Sequence, residues 1–94
     1  MGNGPSVLAK GVAKEVEETR GLLHGAVVET PVLQSRANWP DGAELYFKCE
    51  NFQTGGSFKL RGAVSKLKRL PLGAEVVTAS SGNHGIACCL AAQI

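Results

Sequence analysis

Lys48-Cys49-Glu50-Asn51-Phe52-Gln53-Thr54-Gly55-Gly56-Ser57-Phe58-Lys59-Leu60-Arg61-Gly62-Ala63 is the stretch that decides the fold. It runs from a strand-like segment, through a glycine pair, into a segment of helical spacing that opens on a lysine. Glu44 to Glu50 predicts a strand, because Leu45, Phe47 and Cys49 alternate with Tyr46 and Lys48. Asn51 to Gly56 is loop. Ser57 is a favoured N-cap residue, and Leu60, Ala63, Val64 and Leu67 keep to one face of a helix over 58–70. Lys66, Lys68 and Arg69 crowd its C-terminal end, where cations complement the helix dipole, and read as a solvated helix end. Pro71 and Gly73 stop it.

Downstream, Val76-Val77-Thr78 within 75–79 has the β-branched character of a buried parallel strand. Ser80 to Gly82 is loop, and a final helix starts near Asn83 and runs to Ile94. That helix is apolar nearly all round, which implies burial against something. Strand, helix, strand, helix predicts a β-α-β unit with a right-handed crossover. Ligands in such sheets bind at the carboxyl ends of strands, where the loops at 53–57 and 80–82 lie. Upstream, Ser6 caps a helix to about Thr19–Arg20, with Val7, Leu8, Val12 and Val16 near helical spacing and Gly21 as its stop. Residues 22–28 fit more than one state. Thr30-Pro31 begins an extended segment, and Trp39-Pro40-Asp41-Gly42 is a turn. Residues 1–5 read as a loose start, and the short acylation-like pattern of Met1-Gly2 with Ser6 is too slight to carry weight.

Ninety-four residues allow one modest domain. Ten basic against eight acidic side chains give a net charge of +2, too balanced to argue for nucleic acid or an anionic membrane. Twelve glycines and few charges fit a buried α/β core with tight turns. Cys49, Cys88 and Cys89 show neither a disulfide framework nor a metal-ligand spacing, and read as buried free thiols. No signal peptide or spanning run is visible, so the expectation is a soluble cytoplasmic protein.

Lys48-x-Glu50-x-x-Gln53, then Gly56-Ser57-Phe58-Lys59-x-Arg61-Gly62-Ala63, then Ser80-Ser81-Gly82-Asn83-His84-Gly85, resembles the serine/threonine dehydratase group. These are pyridoxal-phosphate enzymes of the tryptophan-synthase-β fold type, with serine racemase a close relative. The likeness covers roughly Val7 to Ile94, and Thr30-Pro31 also fits it. It implies a three-layer α/β fold with a parallel sheet, incomplete here. It implies that Lys59 is the catalytic lysine that bonds pyridoxal 5'-phosphate through its amine and later removes the substrate's α-proton. A helix start suits that role, because it disfavours the protonated amine. Phe58 and Asn83 match cofactor-binding positions, beside the ring and at its oxygen. Ser80, Ser81, Gly82, Asn83 and His84 match the loop that holds the substrate carboxylate, where backbone N–H groups at a helix start suit an anion. Ser81 further matches the base on the opposite face of the substrate in serine racemase.

Each position also has a plainer reading: Lys59 as a surface lysine, Phe58 as a core aromatic, Asn83 as an N-cap, Ser81 as a loop serine, His84 as structural. His24 has no motif around it. Glu50 and Arg61 read as an ion pair bracing the loop before the lysine. Leu60-Arg61 after the lysine sits on the dehydratase and racemase side of the fold type, away from the Asp-Arg of cysteine and threonine synthases. One departure is visible: the family's Thr-Gly-Ser-Phe-Lys is Gly55-Gly56-Ser57-Phe58-Lys59 here, which removes a hydroxyl and loosens the loop.

The resemblance implies deamination of L-serine or L-threonine to a 2-oxo acid and ammonia, by a homodimeric or homo-oligomeric parent enzyme. Family members are longer, and their Gly-rich phosphate loop has no counterpart in 1–94. The chain is therefore expected to be an N-terminal portion, truncated at its C-terminus, that binds the cofactor poorly alone and is itself inactive. Rival readings are an amino-acid racemase and a non-catalytic chain that associates with full-length subunits.

Overall fold

Ser6 opens the first helix as expected: its Oγ accepts the Ala9 N–H at 3.1 Å. Helix α1 spans Val7–Leu23 in the computed structural model, which describes residues 6–94. The loose start at 1–5 and its Met1-Gly2 pattern lie outside the described residues. The helix passes through Gly21 and ends three residues later than the sequence suggests. Gly25, at φ +79, turns the chain instead. No residue of α1 is buried. Its end is held by residues distant in sequence: Lys68 Nζ donates to the Leu22 carbonyl at 2.7 Å, and Arg69 Nη2 to Thr19 Oγ1 at 2.9 Å. Two cations predicted to sit free in water therefore tie α1 in place.

Strand β1 (Val32–Gln34) follows Pro31 directly, and β2 (Tyr46–Lys48) lies at the centre of the strand expected over 44–50. They pair antiparallel, with Val32 opposite Lys48, Leu33 opposite Phe47 and Gln34 opposite Tyr46. The turn between them contains Pro40–Gly42, with Asp41 at φ 56 and Gly42 at φ 69.

Helix α2 (Lys59–Lys68) and helix α3 (Asn83–Ala92) fall where the sequence places them. The residue capping α2 is Phe58, and Ser57 serves from one position further back, its Oγ accepting the Lys59 N–H at 3.4 Å. Between the helices the expectation fails. Residues 75–79 form no strand, and the one sheet among the described residues is the antiparallel β1–β2 ribbon. A β-branched run favours extended backbone, but a strand needs a neighbour to bond to. No backbone hydrogen bond among the described residues involves 75–79. The parallel β-α-β unit is thus not formed among the described residues, which show a mixed helix and strand arrangement.

The core lies between α2 and α3. Leu60 and Val64 are fully buried, and Ala63, Ala87 and Ala91 complete it. Alanines facing across the two helices let the backbones approach closely, and each large aliphatic side chain contributes about 1.5–3 kcal/mol by burial. Helix α3 buries only one face, leaving Ile86 and Cys89 outside. The cysteines are free, but none is fully buried as expected: Cys49 and Cys88 are half-buried and Cys89 is exposed.

A side chain stands in for a strand at Gln53. Its Nε2 donates to the Val28 carbonyl at 2.9 Å, and its Oε1 accepts the Val28 N–H at 2.8 Å and the Thr54 N–H at 3.1 Å. Only 3% of Gln53 is exposed, so these groups have no water to fall back on. Gln53→Ala is expected to destabilise the fold by about 2 kcal/mol, read as a lower urea midpoint with an unchanged slope.

Candidate active site

Two glycines shape the turn that leads into Lys59. Gly55 and Gly56 hold φ +85 and +81, a conformation that resists side chains. A Cβ at Gly55 would also stand 2.9 Å from Leu90 Cδ1. The glycine found where the family has threonine is therefore what this loop geometry requires. The Gly56 N–H closes the turn on the Gln53 carbonyl at 2.7 Å, and the chain re-enters helix with Lys59 as its first residue.

Behind this turn a polar brace fixes the loop to the start of β1. Glu50 Oε1 and Oε2 accept from Arg61 Nε at 2.5 Å and Nη2 at 3.1 Å. Glu50 Oε2 also accepts the Thr30 hydroxyl at 2.5 Å, while Lys48 Nζ donates to the Thr30 carbonyl at 2.7 Å. The expected Glu50–Arg61 pair thus forms and extends to Thr30. Arg61 holds the Glu50 carboxyl at about 2, well below its ordinary value; burial opposes this and the Thr30 hydroxyl reinforces it. The same contact raises the Arg61 guanidinium.

Because the folded-state value of Glu50 is depressed, the brace contributes its full stability above about pH 4.5, the ordinary glutamate value, and loses it as pH falls towards 2. The Arg61 side chain is 34% exposed, and water screening reduces the expected contribution to about 2 kcal/mol. Urea titrations at pH 6 and pH 3 check this: Glu50→Gln is expected to remove most of the difference.

Lys59 opens onto a cleft of about 540 Å³ between α2, the 76–78 segment and α3. Its Nζ stands 5.5 Å from the centroid of the Phe58 ring. Phe58 is itself exposed, which excludes the plain core-aromatic reading. Val76, Val77, Leu67 and Leu70 give the cleft apolar walls, and His84 and Cys88 enter it from α3.

Of the residues singled out in the sequence, Phe58, Lys59 and His84 meet in this cleft. Ser80, Ser81, Gly82 and Asn83 do not line it. They form the exposed approach to α3: Gly82 is the cap residue, Asn83 the first helical residue, and Ser80 Oγ accepts the Gly82 N–H at 3.3 Å. Asn83 is therefore not the N-cap. Gly85 holds this approach close, since a Cβ there would lie 2.4 Å from the Ser80 carbonyl oxygen.

Two cleft residues were missed in the sequence. Lys66 is i+7 from Lys59, on the same face as Gly62 and Ala63, and Cys88 is i+4 from His84. Both spacings were legible, but Lys66 was grouped with the cations at the helix end and Cys88 with the apolar run.

Lys59 thus stands at a helix start, beside the Phe58 ring and on an apolar cleft. The chain belongs to the pyridoxal-phosphate dependent enzyme family, whose model matches residues 23–94. It is 45% identical over 85 residues to serine racemase of Dictyostelium discoideum, covering 86% of this chain and 26% of that protein. It is 42% identical over 87 residues to human serine racemase, covering 85% and 26%. It is 50% identical over 84 residues to L-threo-3-hydroxyaspartate ammonia-lyase of Saccharomyces cerevisiae, again covering 85% and 26%. The chain thus spans about a quarter of the length of the curated relatives it matches. No solved structure matches it.

The family depends on pyridoxal phosphate, and the residues present fit its reactive end: amine, ring wall and imidazole share one cleft. No helix among the described residues is long and apolar enough to cross a membrane, and none of their His, Cys, Asp and Glu side chains cluster as metal ligands.

Proposed function

We propose that residues 1–94 form the amine-bearing N-terminal part of a pyridoxal-phosphate-dependent ammonia-lyase acting on L-serine or L-threonine. The observation that carries this is Lys59 at the first turn of α2, beside Phe58 and facing His84 across one apolar cleft. In a longer protein, the Val76–Thr78 segment would be a strand of the parallel sheet of a three-layer α/β fold. The active form is a cytoplasmic homodimer or larger homo-oligomer.

Bound pyridoxal phosphate supplies an electron sink that acidifies the substrate's α-carbon. Phe58 would pack beside the cofactor ring, and Asn83 would hydrogen-bond the ring's oxygen. Lys59 would hold the cofactor through its amine, and once the substrate's own amine has replaced it there, Nζ would be free to take the α-proton. The Ser80–His84 loop orients the substrate carboxylate with N–H groups at the α3 N-terminus, where the helix dipole favours an anion. The β-hydroxyl leaves as water, and hydrolysis gives the 2-oxo acid and ammonia.

Racemisation is supported equally, because relatives named serine racemase and ammonia-lyase both match across most of the chain. For it, Ser81 returns a proton to the face opposite Lys59. The full-length protein is incubated with pyridoxal phosphate and L-serine or L-threonine, and 2-oxo acid and D-amino acid are measured. Keto acid supports the lyase and D-isomer the racemase. An imine absorbance on adding pyridoxal phosphate to residues 1–94, lost in Lys59→Ala, counts against the reading as a non-catalytic chain that associates with full-length subunits.

A further inference from the structure

Cys88 and His84 stand one turn apart on α3, and both enter the Lys59 cleft. Cys88 Sγ lies 3.6 Å from His84 Nε2, within hydrogen-bond range for sulfur. The two side chains differ in how firmly they are held. Cys88 is half-buried and packs against the Leu60, Val64 and Ala87 core. His84 is exposed and has no other side-chain hydrogen bond among the described residues. An exposed imidazole at a helix start samples several rotamers unless something fixes it. Cys89, the next residue, is exposed and serves as an internal control.

We propose that Cys88 is a positioning residue for His84: anchored against the core, its thiol holds the imidazole at the cleft face in one tautomer. The ring nitrogen that meets sulfur is Nε2, which leaves Nδ1 available to a ligand in the cleft. This rests on the reading of His84 as part of the substrate-side loop, and adds the group that orients it. Nothing in the Ser-Ser-Gly-Asn-His-Gly motif supplies that group; it comes from the following turn of the helix.

The test reads the ring directly. Long-range ¹H–¹⁵N correlation spectra report which imidazole nitrogen carries the proton, with His24 as reference. In Cys88→Ala the His84 tautomer ratio is expected to move by about twofold or more, the size a weak thiol hydrogen bond gives. Cys88→Ser is expected to restore it at least in part, and Cys89→Ala to leave it unchanged.

If Cys88→Ala does not fold, the same spectrum is taken on a chain carrying Cys49→Ala and Cys89→Ala, treated with methyl methanethiosulfonate. There the Cys88 thiolate bonds to the reagent's methylthio group and methanesulfinate leaves, which removes the thiol without altering the backbone. A His84 pattern unmoved in a folded variant or in the modified chain overturns the proposal. Cofactor attachment at Lys59 is measured separately. Failure there overturns the functional reading and leaves the Cys88–His84 contact standing.

Discussion

Incubation with pyridoxal phosphate followed by borohydride reduction is expected to fix a pyridoxyl group on Lys59, and Lys59→Gln is expected to abolish labelling in that peptide. The other amines explain why selectivity is expected. Lys48 donates to the Thr30 carbonyl and Lys68 to the Leu22 carbonyl, so both must break a 2.7 Å hydrogen bond to react. Lys10 and Lys14 lie on α1, away from the cleft. Lys66 is the real competitor, since it lines the same cleft. It lies two turns along α2, about 10 Å from Lys59 at 1.5 Å rise per residue. Peptide mapping decides between them. Labelling concentrated on Lys66, or spread evenly over all lysines, would count against the assignment of the site. Retention of label in Lys66→Gln and its loss in Lys59→Gln would support it.

Gly85→Val is expected to cost about 3 kcal/mol, the upper end for overpacking. The reason is what a side chain would meet. A Cβ at 85 falls 2.4 Å from the Ser80 carbonyl oxygen and 3.2 Å from its carbon. These are backbone atoms, so no rotamer change relieves the overlap. Either α3 slides off α2, opening the Ala87 and Ala91 contacts, or the Ser80–Gly82 approach is pushed away. Against the 5–15 kcal/mol that hold a typical domain, this is a large fraction for so small a core. Gly11→Ala is the matched control, because nothing lies within 4 Å of a Cβ there and helix propensity favours alanine by up to about 1 kcal/mol. Thermal or urea unfolding should move in opposite directions for the two variants. Equal, small shifts would mean that the Ser80 approach is not held by Gly85.

The helices were legible because their signals are local. Ser6 caps α1 through its own third neighbour, and the Leu60, Ala63, Val64 spacing gives α2 its buried face without reference to the rest of the chain. Of the motif residues, Phe58, Lys59 and His84 line one cleft, while Ser80, Ser81, Gly82 and Asn83 do not. What failed depended on partners distant in sequence. Val76–Thr78 has strand composition but no strand beside it. Lys68 and Arg69 looked solvated because the groups they reach, Leu22 and Thr19, lie 46 and 50 residues away. Gln53 gave no sign that its amide would occupy the place of a strand beside Val28.

That bare stretch at 75–79 governs how the molecule behaves in a tube. Val76 is 46% and Val77 99% exposed, and the backbone around them offers donors and acceptors that nothing among the described residues answers. Such a segment welcomes any extended peptide that reaches it, its own copies included. Sedimentation velocity should therefore show a coefficient that climbs with loading concentration, and a Val77→Lys chain should stay at the monomer value. Purification of the isolated polypeptide calls for dilute handling, and a short β-strand peptide supplied in excess becomes a reagent for keeping it in solution.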